Sequence, residues 1–380
     1  MMKRVVLVTG HYLESKRKAG FHWLADAYWR AGWEVIFLTT AISWLSWLQR
    51  NYRMAYPILR EANQLRWVQP GLGSYVWFTP WHPVHLRLPL LNHLLSPLFA
   101  RYQHFPLAEA EAVVCPAVLI IFESKPGLLL YDRFRRLNSQ ARYVYRVSDD
   151  LRLLRSSHAV VIQAEARCAP ELDLISVPSR YLLQRFQHLP HAVLHYHGIR
   201  KDLFERAYPN PYQGTWDTHL IFVGISYFDY DFLVKASASF PHWAFHIIGP
   251  IPHLPRRANI FAYGEMPFLD TVPYIKHADI GLSNLRTHSP ATESFTDSLK
   301  IIQYTYCDLP IVLPVHLRSA RPNTFCYTPG STESIQQALL AAKHFDRSRV
   351  VKDDIRSWDE VAQDLAGERW DVRDAQLGSA

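Results

Sequence analysis

Apolar positions along the first forty residues change period twice. Residues 5–8 form an unbroken aliphatic run, residues 21–30 repeat apolar side chains at helical spacing, and residues 34–38 return to a β-branched run. Gly32 falls between helix and strand, where a helix C-cap belongs. Such a strand–helix–strand unit predicts a parallel sheet. Further strand signals lie at 75–78, 117–122, 142–145, 160–163 and 174–177, with helical stretches between several of them. The stretch 208–214 holds two prolines and a glycine and reads as a linker. After it the pattern restarts, with strands expected at 219–224, 244–249, 260–263, 279–283 and 311–313, and helices at 271–277, 298–306 and 332–342. The expected fold is α/β, two doubly wound Rossmann-like domains facing each other across a cleft, spanning residues 1–205 and 215–355. A last helical stretch, 358–365 within 356–380, is expected to pack back on the first domain. No internal repeat or low-complexity tract occurs.

With 380 residues, 49% hydrophobic and 20% charged, the chain is globular and long enough for two cores. A net charge of +7 suggests an anionic partner, which nucleic acid, an anionic membrane surface or a phosphorylated substrate would satisfy equally. The four cysteines show no paired spacing, so neither a zinc site nor a disulfide framework is expected, and a reducing cytoplasm is. The apolar run at 5–8 is too short for a signal peptide's core, and the longest run, 112–122, contains Pro116 and falls short of the roughly 20 residues of a spanning helix. No membrane-crossing segment is expected.

Chemistry concentrates first at Arg146-Val147-Ser148-Asp149-Asp150, where two carboxylates end a short aromatic and β-branched run. The break after a buried strand is where open α/β sheets present reactive groups, so an aspartate there can serve as general base. Ser and Asp before Leu151 suit a helix N-cap equally well. In the second half, Gly264-Glu265 follows a strand, and Asp297-Ser298-Leu299-Lys300 opens a helix whose free N–H groups, dipole and lysine suit a diphosphate. A capped amphipathic helix with an exposed lysine is the plainer alternative. No Walker loop or GxGxxG fingerprint occurs. Asp229-Tyr230-Asp231 imitates a metal-binding DxD but reads as a turn or helix start, and His195 and His197 lack a third ligand at useful spacing.

Residues 42–68 interleave Trp44, Trp47 and several leucines with Arg50, Arg53, Arg60 and Arg66, as does a helix lying in a membrane interface. A second candidate is 86–99, rich in leucine. Aromatic-plus-basic composition also serves single-stranded nucleic acid, and a buried helix pair fits the same pattern. The leucine content favours the membrane, and no nucleic-acid partner is expected.

At 118–124, 144–149, 197–199, 245–249, 263–266, 274–278, 298–304 and 327–330 the chain resembles, in order, the inverting glucuronosyltransferases of glycosyltransferase family 70, which have the GT-B fold. The resemblance implies transfer of glucuronate from UDP-glucuronate to a polyprenyl-diphosphate-linked oligosaccharide, in exopolysaccharide synthesis at the cytoplasmic face of the inner membrane. Asp149 matches the family's catalytic aspartate, and Glu265, Ser298, Lys300 and Gln303 match positions that hold UDP. Glu123, Arg146 and His197 fall in matching stretches on the acceptor side. Three nucleotide-site positions depart from the pattern: Leu285 stands for a tyrosine, and Ser226 and Leu299 each stand for a methionine. Lys300 would offset charge on the departing diphosphate, so neither metal nor cofactor is expected. Transfer from another UDP-sugar, and a non-catalytic membrane-associated binding protein of the same fold, are the rival readings.

Overall fold

The computed structural model describes residues 2–370 except 17, 50, 87, 155, 225–226 and 287–295. Arg50 and Ser226 therefore lie outside the described residues. The chain divides into two compact units, residues 1–195 with the chain from 358, and residues 196–357.

The first domain opens with β1 (Arg4–Thr9), α1 (Gly20–Arg30) and β2 (Glu34–Ser43). The helix ends where Gly32, at φ +81°, takes a left-handed conformation that a side chain would resist. A short helix α2 (Trp44–Leu48) follows, then the antiparallel pair β3 (Leu65–Gln69) and β4 (Leu72–Thr79), and helix α3 (Pro89–Ala100). β5 (Ala117–Glu123), β6 (Arg142–Arg146), helix α4 (Ala159–Cys168), β7 (Leu174–Val177) and β8 (Ala192–Leu194) complete the sheet. Its order is β3-β4-β2-β1-β5-β6-β7-β8, parallel throughout except at β3. Alternate residues feed opposite faces: Val6, Val8, Ile120 and Phe122 enter one core, Val5, Leu7, Leu119 and Ile121 the other.

Two sequence expectations fail here. The run 160–163 is helical, inside α4, and Val160, Val161, Ala164 and Cys168 are buried at helical spacing. The β-branched start misled, and packing of one helical face won over local propensity. Nor is 42–68 one amphipathic helix: β2 continues to Ser43, α2 has five residues, and β3 takes up the end.

The second domain contains β9 (Thr218–Val223), α5 (Tyr230–Ser239), β10 (Trp243–Ile248), β11 (Ile260–Gly264), α6 (Phe268–His277) and β12 (Ile280–Leu282). Then come α7 (Leu299–Tyr306), β13 (Ile311–Pro314), β14 (Thr324–Tyr327) and α8 (Thr332–Lys343). The sheet order is β11-β10-β9-β12-β13-β14, all parallel. The domain begins at Tyr196, ahead of the boundary read from sequence, because Ile199 and Phe204 join its core and Phe204 packs edge-on against Phe268 and Tyr306. Asp229 caps α5 by accepting from Phe232 N at 3.0 Å, a structural use for that acid pair.

The final helix, α9 (Trp358–Ala366), returns to the first domain. Trp358, Val361, Ala362 and Leu365 are buried against α1, and Tyr28 donates its hydroxyl to the Ala362 carbonyl at 2.8 Å. Val361 and Leu365 each contribute roughly 1.5–3 kcal/mol of burial.

Candidate active site

In the first domain the C-terminal ends of three adjacent strands, β1, β5 and β6, bring together side chains far apart in sequence. Glu123, the last residue of β5, is buried and accepts from Thr9 Oγ1, from Gly10 N at 3.0 Å and from Ser148 Oγ at 3.0 Å. His11 Nε2 lies 3.2 Å from its Oε1. Burial alone would raise the Glu123 carboxyl, but His11 and Lys125, with hydrogen bonds from His11 and Thr9, hold it well below the usual carboxylate range.

Asp149 stands just past β6, its side chain 27% exposed, with Lys125 Nζ 3.3 Å from Oδ2. Burial would lower the Lys125 ammonium, yet Glu123 and Asp149 together raise it above its ordinary value. Ser124 Oγ accepts Ser148 N at 3.0 Å and Tyr145 Oη at 2.9 Å, fixing the turn that carries Asp149. The neighbouring Asp150 does different work. It is buried, accepts from Arg152 at 2.8 Å and faces Arg185 at 3.3 Å. The turn after it closes with Leu153 N on Asp150 O, without a helix to cap. One carboxylate is open and the other is a fastening.

Arg146 and Arg53, read from sequence as acceptor and membrane residues, are both used internally. Arg146 is buried and donates to Ser176 Oγ at 2.7 Å and His195 O at 2.6 Å; burial pushes its pKa down to about 9. Arg53 is buried and donates to the carbonyls of Gly10, Thr40 and Ala41 at 2.5, 3.1 and 2.7 Å. The Gly10 carbonyl lies just past β1, and those of Thr40 and Ala41 fall where the β2–β4 register shifts, Ala41 having a φ of +56°, so the guanidinium satisfies what the strands leave open. Trp44 and Trp47 differ: they are 54% and 62% exposed, and Leu88, Leu90 and Leu94 around the start of α3 are exposed as well. No described helix is long and apolar enough to cross a membrane.

In the second domain the ends of β9, β10 and β11 carry glycines. Gly249, at φ +140°, approaches so closely that a Cβ there would meet Gly224 O at 1.8 Å, and its N–H donates to Gly264 O at 2.7 Å. Lys300, in the first turn of α7, lies over the Phe222 ring at 4.3 Å, and a Cβ on Gly224 would meet its Nζ at 3.2 Å. It has no acidic partner among the described residues, and burial pushes its pKa down to about 7. Ser298 is the N-cap of α7 by backbone, yet its Oγ is buried without a hydrogen bond among the described residues. Gln303, one turn on from Lys300 and on the same face, is buried; Leu299 is half-buried and Glu265 exposed. Leu285 is a core residue, bridging to Phe228 and packed in the cluster that holds Ile301 and Ile302. His197 is half-buried near the start of this domain. No group of three or more His, Cys, Asp or Glu suited to a metal occurs among the described residues.

Residues 7–178 match the family described as glucuronosyltransferase GumK, N-terminal domain. That match spans most of the first domain and none of the second. A GumK-type relative, the UDP-glucuronate:glycolipid 2-beta-glucuronosyltransferase of Xanthomonas campestris pv. campestris, is 28% identical over 346 residues, 90% of this chain and 85% of its own. Among solved structures, HepE of Anabaena, in complex with UDP and glucose, matches with a TM-score of 0.57 at 11% identity, covering 96% of this chain and 95% of its own. The trehalose-6-phosphate synthase OtsA matches with a TM-score of 0.57 at 10% identity, covering 97% and 100%. At such identities these two likenesses establish the fold, two parallel α/β sheets of GT-B type. GumK-like sequence thus sits on a widely shared frame.

Sequence reasoning singled out Asp149, Glu123 and Lys300; it did not name Thr9, His11, Lys125 and Ser124, which the structure sets around the two carboxylates. The signal was present: Thr9-Gly10-His11 ends the first buried run, and Lys125 lies two residues beyond Glu123.

Proposed function

We propose that this protein transfers glucuronate from UDP-glucuronate to a sugar hydroxyl of a glycolipid, with inversion and without a metal. The observation that carries the reading is Lys300, a half-buried cation with no acidic partner among the described residues, set beside the glycine ends of β9 and β10 at a helix start. Such a group suits a diphosphate, whose charge it neutralises as the bond to the sugar breaks. Backbone N–H groups opening α7 and the unsatisfied Ser298 hydroxyl add donors, and Gln303 lies on the same face. We assign Glu265, exposed just past β11, to the ribose hydroxyls. In the first domain Asp149, held by Lys125, accepts the proton of the attacking hydroxyl. The oxygen then closes on the anomeric carbon as UDP departs from the opposite side.

The relative's name supplies donor and acceptor class, and a polyprenyl-diphosphate-linked oligosaccharide in exopolysaccharide synthesis is the specific acceptor we favour. Trp44, Trp47 and the exposed leucines near α3 support peripheral contact with a membrane, whose anionic face suits the net charge of +7. The test is UDP-glucuronate turnover onto a glycolipid acceptor in EDTA. Transfer that survives EDTA and disappears in Asp149→Ala with UDP binding intact supports the mechanism. Transfer from UDP-glucose alone overturns the donor assignment.

A further inference from the structure

Asp149 reaches solvent, but the turn that carries it is tied on both sides to buried side chains. On the upstream side, Ser124 Oγ accepts from Ser148 N at 3.0 Å and from Asp149 N at 3.5 Å. Tyr145 Oη lies 2.9 Å from Ser124 Oγ and 2.5 Å from Glu165 Oε1. On the downstream side, Asp150 Oδ1 faces Arg185 Nη1 at 3.3 Å. Arg185 returns to the same glutamate, donating from Nη1 to Oε1 at 3.2 Å and from Nη2 to Oε2. Ser124, Tyr145, Glu165, Arg185 and Asp150 thus close a ring, and Asp149 sits in the turn that the ring spans. Its members come from the end of β5, from β6, from α4, from the helix Arg180–Phe186 and from the turn itself. Ser124, Tyr145, Glu165 and Asp150 are buried, and Arg185 is nearly so.

We infer that Glu165 is a positioning residue for the transfer: through Tyr145 and Ser124 on one side, and Arg185 and Asp150 on the other, it fixes the turn on which Asp149 meets the acceptor hydroxyl. The inference rests on the transfer reading above. A buried ion pair is a poor source of stability, because desolvation offsets most of its attraction and apolar side chains of similar volume serve as well. The neighbouring core is apolar, with Val161, Ala164, Leu182 and Phe186 in one cluster, so packing alone does not call for Glu165 and Arg185. What the pair supplies is direction, since one carboxylate touches both arms of the ring. Burial pushes the Tyr145 hydroxyl above its ordinary value, so it keeps the proton with which it bonds. A general base must meet its proton at about 2.6–3.2 Å, and a misplacement of about 1 Å costs up to about 10²-fold in rate. Lys125 holds the Asp149 side chain, whereas the ring holds the backbone before and after it. Glu165 acts through these groups and not on the substrate.

The experiment uses the full chain, UDP-glucuronate and a glycolipid acceptor, with two variants that open the ring at different places. Tyr145→Phe removes one hydroxyl and leaves the ion pair whole; kcat falls about tenfold, with UDP affinity and acceptor KM within about twofold. Glu165→Leu together with Arg185→Met replaces the pair by apolar side chains, which holds or raises the melting temperature yet lowers kcat to a similar extent. Combining the two lowers kcat no further, because both open the same ring. Wild-type kcat in Tyr145→Phe, an equal loss of UDP affinity, or losses that multiply on combination overturns the inference. If the pair replacement does not fold, Tyr145→Phe decides alone. Absence of turnover by the wild type defeats the transfer reading by itself. The ring is then read from hydrogen exchange: protection of the Ser148 N–H that falls about tenfold in Tyr145→Phe supports it, and unchanged protection overturns it.

Discussion

At the ends of β5 and β6 the carboxylates are already engaged: Asp149 rests on Lys125, and Glu123 accepts from Thr9, Gly10 and Ser148 with His11 beside it. At the end of β9 the arrangement is the reverse, with Lys300 desolvated beside bare glycines and Ser298 Oγ buried without a bond among the described residues. A network complete before substrate arrives holds its groups in place and loses little reorganisation during a reaction. A site left incomplete gains most when an anion enters, because the ligand supplies what the fold withholds. The first edge is therefore built for geometry and the second for affinity.

The sharpest way to break that contrast is Asp149→Asn, expected to lower kcat by about 10³-fold or more while leaving UDP affinity within twofold, as read by steady-state kinetics and calorimetry. A parallel loss of UDP binding would erase the distinction between the edges. Lys300→Met should act the opposite way, weakening UDP binding by about 10- to 100-fold, the range for a lost hydrogen bond to a charged group. The same substitution should raise the melting temperature of the ligand-free protein, since it removes a desolvated ammonium. A fall would mean that Lys300 has a structural partner.

A smaller effect follows from pH. With the Lys300 pKa at about 7 in the free protein, the charged form that a diphosphate needs is present below pH 7 and must be generated by proton uptake above it. UDP affinity should fall by up to about tenfold per pH unit above 7, and Lys300→Met should flatten that slope. Smallest is the membrane term: replacing Trp44 and Trp47 by Ser should weaken binding to anionic vesicles about tenfold, with soluble-acceptor turnover unchanged. Unchanged sedimentation with vesicles would remove the patch from the account.

The same two edges were unequally legible in the sequence. Lys300 and Ser298 follow one another at a helix start, so local pattern suggested them, although only packing reveals that the ammonium is desolvated. Asp149 was visible because a buried run ends in front of it. Its surroundings were not, since Lys125 reaches it, and His11 reaches Glu123, only through the β1-β5-β6 strand order, which no local window contains. The arginines show the converse error. Arg53 lies in a stretch where tryptophans face outward, and composition alone gave it the same orientation; the open carbonyls at Gly10, Thr40 and Ala41 turn it inward. Residues 160–163 failed for a related reason, a β-branched start read without the face it buries.

The return of α9 to α1 bears on biosynthesis. The hydroxyl of Tyr28 bonds a carbonyl 334 positions later, and Trp358 fills the core beneath Gly20. A ribosome that has finished residue 195 still has the whole second unit to make before α9 emerges. At about 5–20 residues per second, that leaves the nascent first unit with an uncovered apolar face for roughly 10–30 s. During that interval it is a client for chaperones, and the second unit can complete its fold first even though it is translated later.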